Sequence, residues 1–340
     1  MIKIFEVQGT DYEMGCQIGK QFKKYLQKAI RKYEKKLDSK VIYLKVKEME
    51  DKCKKDYPRC LEEIYGRADG SEVSRDAMLL MFFPEVYKKA DGCTTLIFKK
   101  EKDNFLFCHN EDGKSYNSNN VALIKYNYKN FWVVAYTMAE KLAGNAFTYN
   151  SYGLVFSSNY IFDTAVDLNN ISRYIAVKEV INSSSVEEAV DKLEKCKVAS
   201  PFSLNILDVN LNIAVNVEKD IEGTYVTKIN NRYARANHFI AKSEGLPKEP
   251  ISSKFRYNKA KELLTSLNKK ESSITSLINI LSYETRDYYS SIFKDPNKYK
   301  GNGVTVANFS IESKTKKIRI HDYLNDNVFI FDYNNFMKDS

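Results

Sequence analysis

The chain has 340 residues, 43% of them hydrophobic and 29% charged, with six prolines and thirteen glycines; so much apolar surface supports a packed core and excludes a disordered chain. At ~100–200 residues per domain, two units or one large α/β or α+β domain are both permitted. Fifty-three basic against forty-four acidic residues give a net charge of +9, but Lys23-Lys24, Lys35-Lys36 and Lys314-Thr-Lys-Lys317 are scattered among Glu and Asp without the Gly-aromatic signature of an RNA-binding sheet, so no nucleic-acid partner is expected.

The opening Met1-Ile2-Lys3-Ile4-Phe5-Glu6-Val7 alternates like a strand and lacks the apolar core and small-residue cleavage site of a secretory signal. The longest apolar stretches, Ala77 to Phe83 and Phe131 to Tyr136, fall far short of the ~20 residues that cross a bilayer. A cytoplasmic protein with no membrane partner is the expectation. Thr10-Asp-Tyr-Glu13 is a capping box, and the run from it to about Lys36 has apolar residues at helical spacing. Gly15 and Gly19 interrupt that run; glycines four apart cost a helix ~1 kcal/mol each, so they mark a close crossing with another element. A second helical stretch covers Val46 to Arg67, kinked or broken near Pro58, and a third runs from Ser74 through Phe83.

From Thr94 the period changes to two. Thr94 to Phe98 and Phe105 to Cys108 flank the turn residues Lys102 to Asn104 and predict a β-hairpin. Val121 to Tyr126 and Phe131 to Tyr136 predict a second, with further strands at Phe147 to Tyr149 and Gly153 to Ser157. Helices are predicted over Arg173 to Ile181 and from the Ser185 cap to about Cys196. Strands return at Ser203 to Leu207, Ile213 to Val217 and Tyr225 to Ile229, then helices over Lys254 to Leu267 and Ile274 to Tyr283, and a hairpin-rich stretch from Val304 to Phe331. This succession predicts an α+β fold, a layered sandwich of two antiparallel sheets between helices. No internal repeat, low-complexity tract or linker interrupts it.

The six cysteines (Cys16, Cys53, Cys60, Cys93, Cys108, Cys196) are too scattered for a disulfide scaffold or a CxxC zinc site. Cys93 stands apart, because Asp91-Gly-Cys-Thr-Thr95 lies where a helical segment turns into a strand. A thiol after an unhindered glycine carbonyl can attack it in an N-to-S shift; hydrolysis then leaves Cys93 with its own α-amino group, whose pKa of ~8 against ~8.5 for the thiol lets it take the thiol proton. The other reading is a buried cysteine after a glycine turn. The hairpin returns His109-Asn110-Glu111-Asp112 beside Cys93, where a carboxylate can orient thiol and ammonium; a metal reading of His109, Glu111 and Asp112 competes, as does that of solvated hairpin residues. Later, Arg235-Ala-Asn237-His238-Phe239 follows a strand. There Asn237 either donates to an oxyanion or caps the turn, and His238 either pairs with a cysteine or is a hydrogen-bonded structural residue.

Taken together, these residues resemble the acyl-coenzyme A:6-aminopenicillanic acid acyltransferase family, the isopenicillin N acyltransferases and their bacterial relatives, within the N-terminal nucleophile hydrolases. The likeness runs over nearly the whole chain: Val7-Gln-Gly-Thr10 with Glu13-Met-Gly15 and Gly19, Asp91-Gly-Cys-Thr-Thr95, Asn110-Glu-Asp112, Tyr149-Asn-Ser-Tyr-Gly153, Ala236-Asn-His238 and Ser291-Ile-Phe-Lys294. It implies a four-layer αββα sandwich with a helical N-terminal segment, one domain over 1–340 that cuts itself between Gly92 and Cys93 into an α chain, 1–92, and a β chain, 93–340, which stay associated. It further implies Cys93 as nucleophile with its α-amino group as base, Asp112 positioning that pair, and Asn237 in the oxyanion hole. No cofactor or metal is implied. Where the family typically carries Ser-Ile-Cys-Arg, Lys294 replaces the arginine, keeping charge but losing the planar fork; Arg286 is the second candidate, and Glu111 adds a carboxylate where an aromatic commonly stands. Asn110, Glu111, His238 and Ser291 complete the second tier.

The expected reaction takes an acyl amide or acyl thioester through a Cys93 thioester to water or an amine. Hydrolysis of linear amides is favoured because no coenzyme A phosphate-binding motif is visible. The rivals are a non-catalytic relative that binds an acylated ligand or protein partner, and a thiol enzyme that uses His238.

Overall fold

The computed structural model describes residues 2–87, 92–114, 120–162, 166–242, 251–299 and 303–336. Asp91, one of the motif residues, lies outside them. The elements are β1 (Lys3–Gln8), α1 (Asp11–Gln21), α2 (Lys23–Leu37), α3 (Lys40–Asp56), α4 (Pro58–Ser71), α5 (Arg75–Phe82), β2 (Cys93–Glu101), β3 (Asn104–Lys114), β4 (Val121–Asn127), β5 (Trp132–Met138), β6 (Thr148–Asn150), β7 (Leu154–Tyr160), α6 (Arg173–Val180) and α7 (Val186–Lys195). They continue with β8 (Phe202–Asp208), β9 (Ile213–Lys219), β10 (Thr224–Lys228), β11 (Arg232–Arg235), α8 (Ile251–Ser266), α9 (Ile274–Leu281), β12 (Gly303–Glu312), β13 (Lys317–Asp322) and β14 (Asn327–Asp332).

Local chemistry explains the boundaries. The Thr10–Glu13 capping box forms as expected, but the run read to Lys36 is two helices, because Phe22 leaves helical φ/ψ and turns its buried ring toward Phe5. Pro58 opens α4 at its first turn rather than kinking one long helix. The crossing announced by Gly15 and Gly19 is that of α1 with α4, where Gly66 and Gly70 face them from the other side.

Two sheets form, in the order β1-β4-β5-β6-β7-β8-β9-β10 and β11-β2-β3-β12-β13-β14. Among the described strands of the two sheets, all pairings are antiparallel except that of β1, which lies parallel to β4 and so corrects the expectation of two purely antiparallel sheets. Three cores separate four layers. Helices α1 to α7 bury Ile18, Leu26, Ile64, Leu80 and Val177 against Ile124 and Phe156 of the larger sheet. Leu123, Tyr136 and Val155 meet Ile97, Phe107 and Phe309 between the sheets, and α8 and α9 cover Leu96, Phe98 and Cys108 on the outer face of the smaller sheet. The observed order of layers is αββα. No described helix is long and apolar enough to cross a membrane.

Candidate active site

Cys93 opens β2, with Gly92 immediately before it. In the ladder to β3, Cys93 stands opposite Glu111 and Thr95 opposite His109. Because side chains alternate across a strand, these four share the face of Ile97 and Phe107, which belong to the core between the sheets. Thr94, Asn110 and Asp112 project to the other face, with Leu96 and Cys108 under the outer helices. The adjacent carboxylates of Glu111 and Asp112 are therefore on opposite sides of the sheet, one beside the Cys93 thiol and one beside the Gly92 peptide.

On the inner side, Cys93 Sγ donates to Glu111 Oε2 at 3.2 Å. Lys141 Nζ holds Oε1 of the same carboxylate at 3.0 Å, and His109 Nε2 lies 3.3 Å from Oε2. His109 Nδ1 is 2.8 Å from Thr95 Oγ1, which donates across to Asn159 Oδ1 on β7 at 2.9 Å. All of these side chains are buried. Burial pushes the Cys93 thiol well above its ordinary value; Glu111 and Asp112 add to that shift and Lys141 opposes it. Cys93, His109 and Glu111 bring a sulfur, a nitrogen and an oxygen within 4.8 Å of one another, donor types that suit zinc. Glu111 already bonds both the Cys93 thiol and His109 and holds the Lys141 ammonium, and Asp112, the third member of the metal reading made from sequence, is on the opposite face.

On the outer side, the Asp112 N–H donates to the Gly92 carbonyl at 2.8 Å. Asp112 Oδ1 accepts from Thr305 Oγ1 at 3.0 Å, while its buried Oδ2 has no hydrogen-bond partner. A Cβ on Gly92 would stand 2.8 Å from that oxygen, so a glycine is what lets the carboxylate lie against this peptide. Thr305 also fixes Lys294: its Oγ1 accepts from Lys294 N–H at 3.0 Å, and its N–H donates to Lys294 O at 2.8 Å. The buried Lys294 ammonium lies 4.5 Å from the Tyr288 ring centre, and burial lowers it to about 8, with Asp112 opposing that shift and Arg256 adding to it.

Asn237 arrives through β11, which pairs with β2 at Arg235 and Thr95; two residues further along the same register is Cys93. The Cys93 N–H donates to Asn237 Oδ1 at 3.0 Å, as does Arg256 Nη2 at 2.7 Å, and two donors on one oxygen fix the orientation of the amide. Asn237 Nδ2 donates to Tyr160 O at 2.7 Å. The oxygen, rather than the expected amide N–H, thus meets Cys93, and one of the two amide hydrogens remains for another acceptor. Arg256 Nη1 donates to Cys93 O and to Thr94 Oγ1, both at 2.7 Å.

Arg256 is the residue that reading the sequence missed. Arg286, the second candidate beside Lys294, is exposed, whereas the guanidinium at the site comes from α8. A signal existed: Ser253, Arg256, Ala260 and Leu264 form the buried stripe of that helix, so the arginine sits on an otherwise apolar or small-residue face. The remaining second-tier residues are structural ties. Asn110 Nδ2 caps Leu281 O at 2.9 Å, and Ser291 Oγ accepts from Thr285 N–H at 2.9 Å within its loop. His238 Nδ1 lies 2.8 Å from Ser253 Oγ, the oxygen that also accepts from Asn237 N–H at 2.7 Å. Burial, reinforced by Arg235, Arg256 and Lys254, lowers His238 to about 4. The histidine that shares a hydrogen-bond partner with Cys93 is His109.

A cavity of about 280 Å³ opens beside the Gly92–Cys93 bond on the outer side, lined by Gly92, Asp112, Phe162, Arg256, Tyr288 and Lys294 among others. It joins aromatic surface, the cations Lys114, Arg256 and Lys294 and an unpartnered carboxylate oxygen, a lining suited to a small molecule with an apolar body and a polar junction.

The model of the acyl-coenzyme A:6-aminopenicillanic acid acyl-transferase family matches residues 99–322, a span that begins just after Cys93 and includes Asp112, Asn237, Arg256 and Lys294. A Beta-alanyl-dopamine/carcinine hydrolase of Drosophila melanogaster is 24% identical over 237 residues, 60% of this chain and 60% of that protein's length. A variant of conjugated bile acid hydrolase from Clostridium perfringens superposes with a TM-score of 0.52 at 16% identity, covering 71% of this chain and 93% of that one.

Proposed function

The chain belongs to the acyl-coenzyme A:6-aminopenicillanic acid acyl-transferase family, and from that premise we propose that it cuts its own Gly92–Cys93 bond and then hydrolyses linear acyl amides through a thioester on Cys93. One observation carries the reading: around a single peptide bond, the Gly92 carbonyl accepts the Asp112 N–H, the Cys93 nitrogen is tied to Asn237, and the thiol faces a carboxylate. The carbonyl of the bond to be cut is thereby polarised, and its leaving nitrogen and attacking sulfur are held in place. The products would be residues 1–92 and 93–340.

In turnover the freed α-amino group takes the thiol proton and the sulfur attacks the substrate carbonyl. The remaining Asn237 N–H meets the oxyanion. Asp112 Oδ2 lies beside the position Gly92 vacates and balances the ammonium, while Arg256 supplies the planar fork that Lys294 cannot. The amine leaves with the proton, and water then releases the acid. An amine in the place of water makes the same thioester an acyl donor. The Drosophila relative is named for hydrolysing beta-alanyl-dopamine and carcinine, and an acyl amide of a small amine is the substrate class assigned to this chain.

Mass spectrometry after incubation is expected to show two pieces that meet at Gly92 and Cys93, whereas Cys93→Ala stays whole and forms no acyl adduct with chromogenic acyl amides. A wild-type chain that remains intact and binds such amides without turnover would overturn the reading in favour of a non-catalytic binder.

A further inference from the structure

Before scission the Cys93 nitrogen is an amide, donating to Asn237, and offers no lone pair to accept a proton. The base that serves the cut enzyme is therefore absent from the chain that must first cut itself. Nor does a thiolate stand ready, since burial pushes the thiol well up. A second base is required, and it must lie on the thiol's own face of the sheet. Asp112 does not: it projects to the opposite face, where Thr305 bonds one oxygen. His238 is engaged with Ser253.

We propose that Glu111 is the proton acceptor for the Cys93 thiol in the uncut chain, a task that passes to the α-amino group once the bond is broken. The inference rests on the self-cleavage reading above. Register puts Glu111 opposite Cys93, and Oε2 already accepts the thiol hydrogen at 3.2 Å. Lys141 fixes the other oxygen at 3.0 Å, and the Lys141 backbone is itself held, its carbonyl accepting from Arg67 Nη1 on α4 at 2.9 Å. The groups facing Glu111 are Cys93 from β2, His109 from its own strand, Lys141 from the turn after β5 and the Tyr136 phenol from β5.

The step balances as follows. The thiol proton moves to Glu111 Oε2 as the sulfur bonds to the Gly92 carbonyl carbon, whose oxygen takes the negative charge under the Asp112 N–H. The C–N bond then breaks, Glu111 returns its proton to the Cys93 nitrogen, and a thioester joins Gly92 to Cys93. Water cleaves it to a Gly92 carboxylate and a free thiol, the proton left over converts the new α-amino group to an ammonium, and Glu111 ends as it began.

The test uses the full chain. Glu111→Gln is expected to slow self-cleavage by at least ~10²-fold, the scale of a lost general base. Its cleavage rate should also rise about tenfold per pH unit between pH 6 and 9, because only pre-formed thiolate remains to react, while the wild-type rate changes far less. A purely structural role would not steepen that profile. To separate maturation from turnover, residues 1–92 and 93–340 are co-expressed as two chains, the second behind an initiator methionine whose removal leaves Cys93 first, in the wild-type and Glu111→Gln backgrounds. The amide hydrolysis lost in the Glu111→Gln protein should then be at least tenfold smaller than its loss of self-cleavage. Wild-type cleavage kinetics in Glu111→Gln, or equal losses in both assays, would overturn the proposal while leaving self-cleavage intact. A wild-type chain that never cuts itself would remove the reading beneath it.

Discussion

Lys294 is 6% exposed, and burial brings its ammonium down to about 8. The unfolded chain binds that proton more tightly, with an ordinary value near ~10.4, so between pH 8 and 10.4 unfolding takes up a proton and stability rises with pH. Below pH 8 the full cost applies, about 3 kcal/mol at ~1.4 kcal/mol per unit. In a Cys93→Ala background, which keeps the chain whole, Lys294→Met is therefore expected to be the more stable protein at pH 7. Its advantage should shrink by ~2–3 kcal/mol on going to pH 10, read from urea unfolding at both pH values; a constant difference would mean the ammonium reaches water. Residue identities at the site were partly legible. The Gly92-Cys93 pair marked the bond proposed to be cut, and His109 to Asp112 marked the strand that returns to it. Which of two adjacent carboxylates faces the sulfur depends on the parity of the register: Glu111 touches the thiol, whereas Asp112 touches the glycine.

At the scale of elements, the α1–α4 crossing shows what small residues in a helix are for. A Cβ on Gly66 would stand 2.1 Å from Tyr12 O, and one on Gly15 would stand 2.3 Å from Glu63 O. Both obstacles are backbone, which no rotamer change can move. Gly66→Ala is expected to destabilise by about 3 kcal/mol or more, outweighing the ~1 kcal/mol that alanine gives a helix. Gly223→Ala, whose nearest neighbour would be a tyrosine hydroxyl at 3.6 Å, should stay within ~0.5 kcal/mol; thermal melts of the two variants check the contrast. The crossing was readable from Gly15 and Gly19 because a four-residue glycine spacing has no local benefit. β11 was not read. It has four residues, two of them arginines, and it is a strand because β2 offers an edge and Glu218 pairs with the buried Arg235 at 2.6 Å.

Across the whole molecule, the proposed cut divides layers that are packed together. Residues 1–92 contribute β1, whose parallel pairing with β4 joins it to the larger sheet, and helices α1 to α5, whose apolar faces fill the core above that sheet. The two pieces are expected to co-elute in size-exclusion chromatography as a 1:1 complex and to separate only in denaturant, since their interface is a domain core rather than a surface contact; a larger piece eluting alone would contradict this. By itself the sequence determined the repeating geometry, from the strand alternation to the capped helices, and a glycine–cysteine step where one passes into the other, because period and capping are set by neighbours along the chain. Only the tertiary structure decided that an arginine of α8 reaches Cys93 and that Asn237 offers its oxygen to the Cys93 nitrogen. Those approaches join segments as many as 163 residues apart, and packing register between distant elements leaves no trace in any local pattern.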